Sequence, residues 1–185
     1  LLEVIEIADN EIALYYVNGM FKEVLTTGRY AFWKGYLDNT FAKIDLSKVE
    51  ITEAVPVALL ENIKVRAYTR KYQVLNFEKG LLFVNGAFVK ELAAGNYYFW
   101  INAIPIEVKN VDIRQQQMEI AGQELLTKDK ATLRINFFVR YQVIDAVKAL
   151  VNNKEYDKQL YVLMQLALRS LVGSYTLDEL LNKKD

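Results

Sequence analysis

Leu14–Trp33 reads LYYVNGMFKEVLTTGRYAFW and Leu81–Trp100 reads LLFVNGAFVKELAAGNYYFW, and the two stretches match at ten of twenty positions without a gap. The matches are Leu, Val, Asn, Gly, Phe, Leu, Gly, Tyr, Phe and Trp, which build turns and cores rather than supply nucleophiles, bases or metal ligands. The chain therefore duplicates a folding unit. The likeness runs on: Ile44–Ile51 lines up with Ile106–Ile113 once five residues are allowed as an insertion in the first copy. Two copies are too few for a solenoid, which needs about three units to bury a continuous core, so tandem β-rich subdomains are expected.

Within each copy, Asn18-Gly19 and Asn85-Gly86 sit between apolar runs. Asn-Gly is the strongest two-residue hairpin signal, because both central residues of a type I′ turn need φ > 0. Nine residues beyond each turn glycine, Gly28 and Gly95 precede Tyr-x-Phe-Trp, which predicts a further reversal into an aromatic strand. Trp33 and Trp100 hold corresponding places, so core packing is expected for both. Neither GxGxxG nor GxxxxGK[ST] is present, and the glycines are read as backbone geometry rather than a phosphate cradle. Between the copies, Pro56–Asn62 predicts one short helical turn, and Lys64–Leu75 an extended basic connection. Its Arg66, Arg70 and Lys71, interleaved with Tyr68 and Tyr72, read as the solvated face of a strand rather than a nucleic-acid or membrane platform.

Composition narrows the classes. The 185 residues are 52% hydrophobic and 12% aromatic, enough for a sizeable core and incompatible with a disordered chain. Lys plus Arg and Asp plus Glu are equal at 23 each, so no net field favours phosphate backbones and no nucleic-acid partner is expected. There is no cysteine and no histidine, which removes disulfides, thiolate sites, the commonest general base and the commonest zinc ligand. No run of eighteen apolar residues occurs, as a bilayer-spanning helix would need. The chain opens on Leu1 without Met, and the expectation is an internal piece of a longer protein with an anchor or coiled-coil tail outside it.

From Ala131 to Val143 apolar and polar residues alternate almost without fault, which predicts a long half-buried strand. Phe138 breaks the alternation by placing a ring on the polar face, where cover from within the same chain is expected. Asp145 is a predicted N-cap for Ala146–Val151. A helix is predicted over Lys154–Val172, with Gly173 as its C′ residue and a stripe of Tyr156, Leu160, Leu163, Met164, Ala167 and Leu171 packed on the sheet. Tyr161, Val162, Leu166 and Leu168 leave little polar surface elsewhere on that helix. Together with Phe138 they form the candidate self-association surface. Thr176-Leu-Asp-Glu179 is a capping box opening a last helix that is expected to run past Asp185 into a longer helical tail.

These segments carry a family resemblance. EKGLLFVNGAFVKELAAGNYYFW from Glu78, VDIRQQQMEIAGQELLTKDKATLRINFFVRYQVIDAVKAL from Val111 and LRSLVGSYTLDELL from Leu168 resemble the SPFH, or Band 7, domain of the stomatin, prohibitin and flotillin group, nearest to the bacterial slipins. The resemblance implies an α+β fold: an antiparallel β-sheet with C-terminal helices, preceded here by a duplicated β-rich subdomain. Residues 1–70 are read as that N-terminal repeat subdomain and residues 71–185 as the SPFH/Band 7 domain with the start of its helical tail. It further implies a non-enzymatic, membrane-associated scaffold in a bacterium, lying on one face of the membrane through segments outside this chain. Such a scaffold would form homo-oligomers and organise membrane proteins such as a membrane-bound serine protease.

The residues themselves offer little chemistry. Asp129 between Lys128 and Lys130 reads as a turn with screened charges, and Asp112 with Arg114 as a structural ion pair. Ser170 and Ser174 have no histidine to activate them. No catalytic residue, cofactor or metal site is expected. A second reading, a β-rich module binding a small apolar or glycan ligand between the two repeats, rests on the abundance of tyrosine and tryptophan.

Overall fold

The computed structural model describes residues 2–182. Ten strands come first, in two sets of five: β1 (Leu2–Ile7), β2 (Glu11–Val17), β3 (Met20–Leu25), β4 (Gly28–Trp33) and β5 (Asn39–Asp45), then β6 (Thr69–Val74), β7 (Glu78–Val84), β8 (Ala87–Leu92), β9 (Gly95–Trp100) and β10 (Ile106–Asp112). Every strand of the second set begins 67 residues after its counterpart. Pairing follows the same scheme in both: β1 lies against β4 and β6 against β9, while β2 is flanked by β3 and β5, and β7 by β8 and β10. Burial along β5 and β10 follows one sequence of exposed, intermediate and buried positions.

The constant spacing corrects the alignment beyond Trp33. With Asn39 matching Ile106 at the starts of β5 and β10, no five-residue insertion separates the copies. The sequence favours the slipped alignment because alternating strands of one composition resemble each other at several offsets. Hydrogen bonds fix the true one. Leu46 N–H donates to the Asn10 carbonyl at 2.8 Å and Ile113 N–H to the Phe77 carbonyl at 3.0 Å, while Asn18 and Asn85 N–H donate to the carbonyls of Asp38 and Pro105. Asn18 and Asn85 have φ of 51° and 52° and their glycines 76°, the left-handed pair that an Asn-Gly turn requires.

Between the sets, α1 (Val57–Leu60) starts behind Pro56, where the missing N–H is no loss. α2 (Ile63–Arg66) is capped by the Asn62 side chain, which accepts from Lys64 N–H at 3.0 Å. Lys64–Leu75 is thus not one extended connection. Its first residues are helical and the rest forms β6, whose alternation is masked by Arg70, a cation on the half-buried side.

Contacts divide the chain into two compact units. In the first, Leu1–Val74 with Leu82–Val89 and Gly95–Val108, β2 is buried on both faces. Ile12 and Leu14 join Ile44, Leu60, Val65 and Trp100 in one core; Ala13 and Tyr15 join Ile5, Ile7 and Leu25 in another. Tyr15, Phe32 and Phe41 stack on one another in the second core, with centroids 4.6 to 5.1 Å apart. The two tryptophans part company here. Trp100 is wholly buried, its indole N–H 3.3 Å from Glu53, whereas Trp33 is 78% exposed, so core packing holds for only one of them.

The second unit comprises Leu75–Leu81, Lys90–Ala94 and Lys109–Asp185. It is dominated by the long antiparallel pair β11 (Gln115–Leu126) and β12 (Thr132–Gln142). Exposed and half-buried residues alternate along all of β12. The register shifts between Ile120 and Gln123, where Gly122 at φ 65° hands its N–H to the Asn136 side chain, the local form of a bulge. Asp145 accepts from Lys148 N–H at 2.8 Å as a cap, and the turn it opens passes into a π-helical segment, Lys148–Asn152. Then come α3 (Tyr156–Ser174) and α4 (Leu177–Asn182). Gly173 lies inside α3, which ends one residue later, rather than at its C′ position. The expected run of the last helix to Asp185 lies outside the described residues.

Two substitutions test the core assignment. Trp100→Ala is expected to cost about 3–5 kcal/mol, as buried tryptophans do, and Trp33→Ala to stay within about 0.5 kcal/mol, as exposed positions do. Urea unfolding of both variants reads the difference, and similar losses would contradict the burial just described.

Candidate assembly surface and the anchor of the last helix

α3 packs on β11 within the second unit. Its covered residues are Tyr156, Leu160, Tyr161, Met164, Gln165, Leu168 and the buried Val172, and the Gln165 amide donates to the Gln123 side chain at 3.1 Å. The predicted stripe holds at Tyr156, Leu160 and Met164; over the second half of the helix the buried positions lie about one residue further on, or about 100° at 3.6 residues per turn. Leu163 and Leu171, expected against the sheet, are exposed, along with Ala167. The helix is apolar almost all round, so hydrophobic periodicity alone cannot choose its buried face. Gln165, one of its few polar residues, turns inward because Gln123 gives it a partner.

Of the five candidate surface residues, Val162 and Leu166 project from α3 into solvent, whereas Tyr161 and Leu168 are half-buried. Phe138 is 59% exposed on the polar face of β12, so the expected cover from within the chain is not there. Shallow depressions along α3, lined by Lys154, Lys158, Val162 and Leu163 on one stretch and by Gln123, Leu166 and Arg169 on another, continue the apolar strip formed by Val162, Leu163 and Leu166.

The Thr127-Lys128-Asp129 turn has a role the sequence did not disclose. Thr127 is buried; its hydroxyl donates to the Asp129 carboxylate and accepts from Ala131 N–H at 2.9 Å. The same Asp129 oxygen accepts from Leu177 N–H at 3.1 Å, and Lys128 N–H donates to the Tyr175 carbonyl at 2.8 Å. The turn thus grips the junction between α3 and α4. Thr176 and Glu179 add the reciprocal bonds of the capping box, at 2.8 and 3.3 Å. The Thr127 hydroxyl above all, then the backbone amides of Asp129 itself and of Leu177, hold the Asp129 carboxyl below the usual carboxylate range. The flanking lysines are not its partners by contact. A Thr-x-Asp turn is visible in sequence, but its reach to Leu177, 48 residues on, is not.

Other charges are absorbed structurally. Arg114 N–H groups fork onto Asp112 while its guanidinium lies 3.7 Å over the Phe77 ring, and this contact lowers the Asp112 pKa. In the basic segment, Arg70 donates to the carbonyls of Asn102 and Ile104, and Lys71 pairs with Glu61, which also accepts from the Tyr98 hydroxyl. The Lys71 bond, then the Tyr98 bond, draws the Glu61 pKa down. Among the described residues no group of three or more Asp or Glu is placed to hold a metal ion, and no helix is long and apolar enough to cross a membrane. Trp100 is in one core with Ile12, Leu14 and Ile44, and Tyr98 packs against that core.

With this geometry in place the family assignment is direct. The SPFH domain / Band 7 family matches residues 5–185, first copy of the repeat included, and the chain belongs to that family. It is 35% identical over 113 residues to the uncharacterized protein MJ0827 of Methanocaldococcus jannaschii, covering 60% of this chain and 55% of that one. It is 35% identical over 114 residues to the stomatin homolog PH1511 of Pyrococcus horikoshii, covering 60% and 41%. It is 25% identical over 142 residues to stomatin-1 of Caenorhabditis elegans, covering 77% and 40%. The chain spans roughly half or less of the length of these relatives. The stronger matches are archaeal, so a bacterial origin and a specific kinship to slipins are not supported.

The anchor makes a pH prediction with a definite sign. Because the folded-state pKa of Asp129 is the lowered one, its contribution is present above the ordinary carboxylate range and is lost as pH falls through the folded value. The Leu177 amide resonance is expected to shift and lose exchange protection on acidification, and Asp129→Ala to reproduce that change at neutral pH. An amide insensitive to both would show that the carboxylate does not hold α4.

Proposed function

We propose that this chain is a non-enzymatic scaffold domain, membrane-associated within its full-length protein, that self-assembles and organises membrane proteins, a membrane-bound serine protease among them. The observation that carries this reading is the outward face of α3. Val162, Leu163 and Leu166 stand in solvent on a helix whose other side is already packed, and Phe138 leaves a second bare ring on the exposed side of β12, opposite its half-buried residues. Membership of the Band 7 family supports the membrane and scaffold parts of the reading. A reaction has less to stand on: the chain lacks histidine and cysteine, and the perturbed carboxylates among the described residues, Asp45, Glu61, Asp112, Asp129 and Asp145, are each engaged by structural donors.

Magnitudes favour many weak contacts over one strong one. Fully burying an aliphatic side chain contributes about 1.5–3 kcal/mol, and these residues are already part-covered, while association costs at least about 4 kcal/mol. A single α3 face is marginal on its own. Repetition around a closed assembly raises the effective concentration and makes such contacts sufficient.

Light scattering on the full-length protein tests the reading. The native protein is expected to form a large, defined oligomer. Val162→Glu combined with Leu166→Glu should shift it to small species with the fold intact, whereas Leu168→Glu on the inward side should lower stability first. A monodisperse monomer at high concentration would sink the scaffold.

A further inference from the structure

Trp33 and Trp100 end β4 and β9 at corresponding places, yet the second is sealed in a core and the first stands in water. The loops that follow diverge in the same sense. After Trp100, the Asn102 amide donates to the carbonyls of Leu46 and Lys48, and Arg70 grips the carbonyls of Asn102 and Ile104. After Trp33 comes Lys34-Gly35-Tyr36-Leu37-Asp38, where Tyr36 is fully exposed, Leu37 is exposed, and Gly35 has a φ of 147° that L side chains rarely adopt. Strand register brings more apolar surface to this end: Leu2 lies opposite Trp33, and Met20 beside Val17, whose other neighbour is Asn39. Leu2 and Met20 are also exposed.

We propose that this tip, formed by Leu2, Met20, Trp33, Tyr36 and Leu37, is a lipid-contact site that dips into the headgroup and upper acyl region of a bilayer. Trp and Tyr rings carry an apolar body with one polar hydrogen, the combination that settles at a membrane interface. Leu37 and Met20 supply the purely apolar part, and the Lys34 stem can lie along it with its ammonium at phosphate level. Size argues against a protein partner: five side chains at one strand end fall well short of the roughly 800 Å² per partner of a stable interface, while a bilayer accommodates a small apolar patch. Lys34 and Asp38 balance in charge, so anionic lipid is not required. The base of the loop is held, by Asp38 N–H to the Asn18 side chain at 3.0 Å, Asn18 N–H to the Asp38 carbonyl at 2.8 Å and the Asn39 amide to the Trp33 carbonyl at 3.2 Å. The rings are presented by a set turn rather than by a floppy tether. The inference deepens the membrane-associated part of the proposed function and is independent of self-assembly.

The chain carries two tryptophans, one at the tip and one as an internal control. The experiment is a fluorescence titration with plain and brominated phosphatidylcholine vesicles. Expected is a blue shift on plain vesicles, quenching by brominated lipid in the native chain and in Trp100→Phe, and neither effect in Trp33→Phe. Trp33→Phe leaves the core untouched, so the comparison with the native chain stands even where Trp100→Phe does not fold. Tyr36→Ser with Leu37→Ser should weaken vesicle partitioning by at least about tenfold, given what burial of such side chains contributes. Three results would each overturn the site: no quenching of Trp33 at saturating lipid, binding confined to phosphatidylserine vesicles and abolished by salt, or a Trp33 blue shift that appears with protein concentration and without lipid. A monomeric chain that still shows lipid quenching would remove self-assembly and leave the site standing.

Discussion

Everything in the first unit hangs on one strand that must be covered on both faces. β2 sends Ile12 and Leu14 to one core and Ala13 and Tyr15 to the other, so neither core can form without the strand that completes the other. Each fully buried aliphatic side chain contributes about 1.5–3 kcal/mol. Loss of either layer would expose half of those side chains at once. Double burial also explains the sequence: Ile12–Val17 is a near-continuous apolar run, as in strands covered on both sides, rather than an alternating one. The Asn-Gly turn at its end then fixes the hairpin partner β3, and β5 closes the other edge of the ladder.

The two strand sets share this frame and use it differently. Turn dihedrals, the ladder scheme and the hydrogen bonds at strand ends recur at a constant spacing. The Asp closing each set accepts the N–H two residues on, Asp45 from Ser47 and Asp112 from Arg114. What differs is the surroundings. α1 and α2 bring Leu60 and Val65 over the β9 tryptophan, in one core with Ile12 and Leu14, and the equivalent ring on β4 stays uncovered. Identical residues in equivalent backbone positions therefore carry opposite solvation, because tertiary cover is not a property of the strand that bears them.

That contrast marks where reading the sequence succeeds and where it stops. Local chemistry was legible: the Asn-Gly turns, the alternation over β12, the Asp145 cap, the Thr176–Glu179 capping box and the short turn after Pro56 all depend on residues within a few positions of one another. Long-range facts were not. The alignment of β5 with its counterpart β10, the side of the second half of α3 that meets β11, the exposure of Trp33 and the bond from Asp129 to Leu177 each depend on contacts far along the chain. The slipped alignment comes from alternation that repeats at several offsets, and the shift along α3 from a helix surface without a single apolar face. Where apolar residues recur at nearly every position, periodicity offers several phases of similar merit, and a lone polar pair such as Gln123 with Gln165 decides among them.

The proposed role as a building block makes a mechanical demand on the second unit. Val162, Leu163 and Leu166 can meet another surface only if α3 is held firmly from behind, and Tyr161, Leu168 and Val172 supply that backing. Asp129 and Lys128 then reach the start of α4 through Leu177 and Tyr175, so the direction in which the chain leaves the unit is set by the turn between β11 and β12. Bond-by-bond, these links are modest. Their effect comes from placement, because a turn that is itself locked by a buried threonine hydroxyl transmits the orientation of the strand pair to the last helix without a flexible joint.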